Sequence, residues 1–396
     1  MSNSDSRASV LEIFGAFLKL GLTSFGGPVA HIAFFRDEFV ERRRWVSART
    51  YADLVALCQF LPGPASSQVG MALGVLRAGL PGGLAAWLGF TAPAALALGA
   101  FALLLHGLNV AADAPWLHGL KLAAVAVVAQ AVWLMGRSLC PDARRATIAV
   151  VAAICILVTA SAWAQIIVIA LGAVAGLFWL SIAAADNAEV VPPGVSRTTA
   201  LAALALFVVL LLVLPLAVEA GGGLAIEVFD AFYRAGALVF GGGHIVLPLL
   251  QAEVVPPGWV SNDVFLAGYG AAQAVPGPLF TFAAYLGATM GGVGGAIFCV
   301  VAIFLPGFLL VLAALPFWQR LRADPRAQSA LAGVNAAVVG LLIAAFYDPV
   351  VASAVRAPLD VALALGAFAL LAFWKVSPAL VVVVTAVATA ALSALV

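Results

Sequence analysis

Gln59-Phe60-Leu61-Pro62-Gly63-Pro64-Ala65-Ser66-Ser67 has an echo 214 residues later, Gln273-Ala274-Val275-Pro276-Gly277-Pro278-Leu279-Phe280-Thr281. Each copy puts a Pro-Gly-Pro break inside an apolar segment. Proline removes a helical hydrogen bond and clashes with the preceding turn. At membrane depth such a break is tolerated only where it is buried in protein or lines a cavity. Two breaks at corresponding positions of two halves point to a transport site.

The chain around them has 396 residues, 64% hydrophobic and 9% charged. No soluble fold of this size hides so much apolar surface. Many runs reach the roughly 20 apolar residues that cross a bilayer, and they lack the alternation of a membrane barrel. The fold class expected is an all-α polytopic membrane protein, with the lipid bilayer as its surroundings. No cleavable signal peptide follows the polar start, so the first apolar segment is expected to be retained. A net charge of +1 carries no nucleic-acid signature. Cys58, Cys140, Cys155 and Cys299 have no paired spacing and read as buried thiols. The four histidines show no metal-ligand spacing.

Apolar segments run over 9–35, 51–76, 79–105, 116–136, 146–160 and 162–184. A lone span follows at 198–218, then 228–250, 263–290, 292–316, 328–347, 358–373 and 377–396. The two sets of six align. Phe25-Gly26-Gly27-Pro28 matches Phe240-Gly241-Gly242-Gly243 at an offset of 215. Trp45-Val46-Ser47 matches Trp259-Val260-Ser261, and Gly119-Leu120-Lys121 matches Gly333-Val334-Asn335, both at 214. Four collinear matches sharing Trp, Gln, Gly and Pro mark an internal duplication. The expected division is a first repeat over 1–185, a linker with one transmembrane helix over 186–224, and a second repeat over 225–396.

Cytoplasmic loops carry excess Lys and Arg. Arg36, Arg42, Arg43, Arg44 and Arg49 follow the first segment, while the matching loop, 251–262, has no basic residue. The loop 106–115 has none, while its partner has Arg320, Arg322 and Arg326. The bias reverses, so the repeats are expected to be inverted. Thirteen crossings divide the loop basics ten inside to six outside. If the first two segments of each half are re-entrant hairpins, nine segments cross and the division is fifteen to one. The second arrangement is preferred. Both put the N-terminus in the cytoplasm and the C-terminus outside.

A half-helix starting after Pro64 presents unpaired N–H groups near Ala65, Ser66 and Ser67, which attract anions. Ser66, Ser67 and Thr281 add hydroxyls, and Gln59 and Gln273 add amides. The plainer reading is a kinked helix, which the duplication disfavours. Gly26, Gly27, Gly241, Gly242 and Gly243 permit close backbone approach; close helix packing explains them equally simply. Lys19 and Arg234 are near-partners in the repeat. An intramembrane cation is expensive, roughly 2.5–3.5 kcal/mol on insertion scales, and reads as functional unless it snorkels. Both are candidates to neutralise an anion. Lys121, five residues past Trp116, is expected to snorkel. His31 and His244 follow the glycine breaks without aligning; both suit packing, and His244 is kept as a site candidate. Asp53 reads as a helix cap in Thr50-Tyr51-Ala52-Asp53 rather than as a proton carrier. Asp230 and Glu12 are expected at the interface.

The FGGP, FLPGPASSQVG, FGGGH and AVPGP stretches resemble the chromate ion transporter family in its long, two-domain form, over nearly the whole chain. The resemblance implies a bacterial-type inner-membrane protein that exports chromate and confers resistance. It places the family's glycine motif on Phe25–Pro28 and Phe240–Gly243. Its Pro-Gly-Pro motif falls on Pro62, Gly63 and Pro64 and on Pro276, Gly277 and Pro278. Sulfate or another tetrahedral oxyanion is the first alternative substrate. A membrane chromate reductase is the second reading, and it lacks any dinucleotide, haem or cysteine-cluster pattern. No cofactor, no metal and no catalytic residue is expected. The sequence leaves a homodimer open.

Overall fold

The computed structural model describes residues 9–108, 114–159, 162–181, 194–240, 243–318 and 324–393. Among them all regular structure is helical. The first half holds α1 (Val10–Thr23), α2 (Gly27–Arg36), α3 (Ala48–Phe60), α4 (Ala65–Gly107), α5 (Pro115–Leu139), α6 (Ala143–Val158) and α7 (Ala162–Trp179). Then comes α8 (Arg197–Glu219). The second half repeats the order with α9 (Leu224–Leu238), α10 (Val246–Val254), α11 (Asn262–Ala274), α12 (Phe282–Ala314), α13 (Pro325–Ala345), α14 (Pro358–Ala372) and α15 (Pro378–Ser393).

The first apolar segment of each half is therefore two helices. Ser24–Gly26 breaks one copy, with Gly26 at φ +102° and Gly27 at φ +76°. The limbs fold back on each other: Phe17 packs against Phe35 and Phe39, with centroids 5.4 and 4.7 Å apart. Arg43 reaches Glu12 at 3.2 Å, closing the base of this hairpin.

α4 and α12 are not single rods. Each reverses at a two-residue turn, Ala78-Gly79 in one and Gly291-Gly292 in the other. The backbone angles nearly coincide: φ/ψ 66°/−157° at Gly79 and 61°/−149° at Gly292. Glycine is required there because φ is positive. The limbs touch backbone to backbone. A Cβ on Gly74 would lie 2.2 Å from Gly82 O, and one on Gly287 would lie 2.2 Å from Gly295 O. At 1.5 Å per residue, the limb 65–77 spans about 20 Å and the limb 80–107 about 42 Å. Only the second is long enough to cross a hydrocarbon core of about 30 Å.

Contacts gather the helix ends on two faces. On one, Arg77 lies over Trp45 at 5.8 Å, Gly194 meets Leu76, and Arg144 donates to Trp179 O at 3.0 Å. So α3 and the first limb of α4 enter and return on the same face. On the other, His118 meets Asp360 at 2.9 Å and Arg356 meets Asp263 at 3.5 Å. Between these faces the outer helices expose apolar side chains, such as Leu201, Leu212 and Leu216 on α8. That surface suits lipid.

Several expectations need correction. Lys121 does not snorkel: it is 1% exposed and its Nζ lies 2.7 Å from Asp263 Oδ1. Burial is tolerated because a carboxylate from α11 neutralises it. Asp53 does not cap α3; Ser47 Oγ accepts the Thr50 N–H at 3.0 Å, and Asp53 is buried. Asp230 is buried rather than interfacial, whereas Glu12 is exposed. Cys58 and Cys299 are buried, but Cys155 is exposed on α6 and Cys140 is half-buried.

Candidate functional site

The Pro-Gly-Pro turn of each half is tied to the glycine break of the other. The Gly63 N–H donates to Val239 O at 2.6 Å, and Val239 ends α9. The Gly277 N–H donates to Ser24 O at 3.0 Å, and Ser24 ends α1. Gly63 and Gly277 hold φ of +124° and +105°, open to glycine. The glycine breaks also meet: a Cβ on Gly243 would sit 3.5 Å from Pro28 Cγ. Pro28 and Gly243 are equivalent positions of the two halves. Gly241 and Gly242 lie outside the described residues.

Counting donors and acceptors gives the site its character. Helix ends at a break present carbonyls, and helix starts present N–H groups. Here the carbonyls are largely spent on protein donors. Val239 O takes Gly63, and Ser24 O takes Gly277 and lies 3.2 Å from His31 Nε2. Pro62 O and Gly307 O take the Gln68 Nε2 amide at 2.8 and 3.3 Å. The starts of α2 and α4 have no side-chain cap. Ser24, Ser66, Ser67 and Gln68 are all buried. Ser24 Oγ, Ser67 Oγ and Thr91 Oγ1 have no partner, and neither does Gln68 Oε1. A buried unpaired polar group costs about 1–3 kcal/mol. Unpaired hydroxyls beside uncapped N–H groups make a candidate set of donors for an anion.

The halves are unequal. At the matching place Thr281 Oγ1 donates to Pro278 O at 2.7 Å, so its hydrogen is already used. Leu279, Phe280 and Phe282 surround it. His244 Nδ1 lies 2.8 Å from the Tyr269 hydroxyl. Gln273 is half-buried, with its Nε2 unpartnered. Gln59 is exposed and stays out of the buried cluster, and Phe25 and Gly26 are exposed at the first break.

The two candidate cations hold carboxylates instead of facing the breaks. Lys19 Nζ lies 3.5 Å from Glu38. Arg234 lies 2.8 Å from Asp230 and 2.9 Å from Glu253. Lys19 and Arg234 are 215 apart, as are Glu38 and Glu253. The same ion pair thus staples the glycine hairpin in both halves. Four residues carry more of the site than sequence reading assigned: Ser24, Gln68, Thr91 and His31. Ser24 precedes the glycine motif and Gln68 follows the serines, which was the only available signal. Among the described residues no group of His, Cys, Asp and Glu could hold a metal.

The chromate transporter family profile matches residues 11–177 and 226–391, one match per half. A chromate transport protein of Pseudomonas aeruginosa is 32% identical over 384 residues, covering 95% of this chain and 90% of its own. One from Cupriavidus metallidurans is 28% identical over 385 residues, covering 92% and 89%. A probable chromate transport protein of Synechococcus elongatus is 28% identical, covering 85% and 84%. No solved structure matches the chain significantly. A transporter family that covers both halves leaves no place for the reductase reading. The chain belongs to the chromate transporter family, in its long two-halved form, and is a transporter rather than an enzyme.

Proposed function

We propose that this protein is a secondary transporter that carries chromate out of the cytoplasm and so confers resistance. The substrate follows the names of its relatives. The observation that supports it is the surplus of buried donors where the four breaks meet, with nearby carbonyls already spent. The proposed repeats, 1–185 and 225–396, are inverted about the linker helix. Nine segments cross an inner membrane. The face bearing Arg36, Arg43, Arg77, Arg144 and Arg197 is cytoplasmic by the excess of basic residues. That puts the N-terminus inside and the C-terminus outside.

Direction has a physical basis. A dianion leaving a cell that is negative inside gains about 2.3 kcal/mol per charge per 100 mV, or about 4.6 kcal/mol for two. That is about three decades of gradient.

Inside-out vesicles with an imposed potential test the reading. Accumulation of chromate that depends on the potential and is barely reduced by excess sulfate is the expected result. Strong suppression by sulfate would assign the site to oxyanions generally, and absence of accumulation would refute chromate export. In the same assay Ser67→Ala should lower the rate about tenfold, the size of one hydrogen bond to a charged ligand. Protein abundance should hold. An unchanged rate moves the substrate away from Ser67.

A further inference from the structure

His31 is buried and joins the first glycine break to the start of α4. Its Nε2 lies 3.2 Å from Ser24 O, and its Nδ1 lies 3.2 Å from Ser66 Oγ. A carbonyl only accepts, so Nε2 carries the hydrogen. In the neutral ring Nδ1 is then a bare acceptor, and the Ser66 hydroxyl must donate to it. Ser66 therefore turns its hydrogen away from the candidate donor set, while the unpartnered Ser67 Oγ stands next to it in the chain. One proton on Nδ1 reverses this bond. The ring would donate to Ser66 Oγ, Ser66 would release its hydrogen to join that set, and a positive charge would stand behind it. The matching position in the second half is Val246, so the device is single.

The surroundings supply little competing charge. The ring of Phe90 meets His31 edge-on at 5.2 Å. α1 contributes Lys19, held by Glu38, and Glu12, held by Arg43. α3 contributes Cys58, Asp53 and Tyr51, whose hydroxyl donates to Ile32 O at 2.6 Å. The stretch following α2 contributes Asp37 and Glu38. α4 contributes Arg77, placed over Trp45. The facing break contributes His244, on Tyr269.

We propose that His31 is a proton-binding site coupled to the substrate: it takes one proton from solvent when a tetrahedral dianion binds at Ser66 and Ser67, and returns it when the anion leaves. A dianion favours the charged ring, and the ring's charge favours the dianion, by reciprocal linkage. This rests on the reading of the breaks as an oxyanion site; a proton that leaves with the dianion reduces the charge moved from two to one and halves the gain from the membrane potential.

The test uses the full chain, purified in detergent and weakly buffered at about pH 8, above the ordinary histidine range. Chromate binding and proton uptake are measured together. The wild type should take up about one proton per chromate, and Kd should weaken about tenfold per pH unit above that point. His31→Gln, which keeps a neutral donor and acceptor, should bind about tenfold more weakly and take up none. Binding by the wild type without proton uptake overturns the proposal, whether or not the variant folds. Uptake by His31→Gln equal to the wild type overturns it too. Failure of the wild type to bind chromate overturns the oxyanion reading itself, and the proposal with it.

Discussion

Gly63→Ala should reduce transport at least about tenfold while leaving a folded protein in the membrane. The added Cβ would lie 2.8 Å from Gln68 Nε2 and 3.3 Å from Gly307 Cα. Gln68 cannot swing aside freely, because its amide already bridges Pro62 O and Gly307 O. The backbone at φ +124° adds strain of about 1–3 kcal/mol for a side chain. Relief requires the turn to move, which breaks the Gly63 bond to Val239 O and tilts the start of α4. Gly277→Ala meets its nearest neighbour at a longer distance, Ala94 Cβ at 3.1 Å, and should lose less. Vesicle uptake normalised to protein abundance checks both. Equal rates for Gly63→Ala and wild type would show that this turn is not part of the path.

Arg234→Ala should cost far more stability than Lys19→Ala, although the two positions are equivalent in the repeat. Arg234 is the partner of both Asp230 and Glu253, whose side chains are 3% and 17% exposed. Removing it strands one buried and one half-buried carboxylate, a change of about 3–5 kcal/mol. Lys19 is 52% exposed at 3.5 Å from Glu38, and Arg42 and Arg43 also hold that carboxylate. An exposed pair of this kind contributes about 0–1 kcal/mol. Thermal melting of the detergent-solubilised variants should show a large drop for Arg234→Ala and a small one for Lys19→Ala. Equal shifts would mean that the second hairpin does not depend on its Asp230–Arg234–Glu253 triad.

The features that punctuate the chain were legible in the sequence. Proline and glycine act through local backbone geometry, so the breaks near Gly26, Gly63 and Gly277 could be placed from residue type alone. The duplication was legible because Trp, Gln, Gly and Pro return in one order. Partnership was not legible. Nothing near Lys121 announces Asp263, 142 residues away, and nothing near Arg234 announces that Glu253 joins its i,i+4 pair with Asp230. The capping role assigned to Asp53 belonged to Ser47, because Ser47 and Asp53 both sit within reach of a plausible helix start. The ties from Gly63 to Val239 and from Gly277 to Ser24 are backbone to backbone, and side-chain identity carries no trace of them.

Those two ties also set a timetable for making the protein. Ser24 and Gly63 leave the ribosome more than 200 residues before Gly277 and about 176 before Val239. At about 5–20 residues per second, the first half waits roughly 9–35 s with its Gly63 N–H unanswered. The lipid core offers no substitute partner. A nascent chain halted before Val239 therefore holds an unfinished membrane protein, one that a quality-control protease or a waiting insertase can recognise by its open backbone.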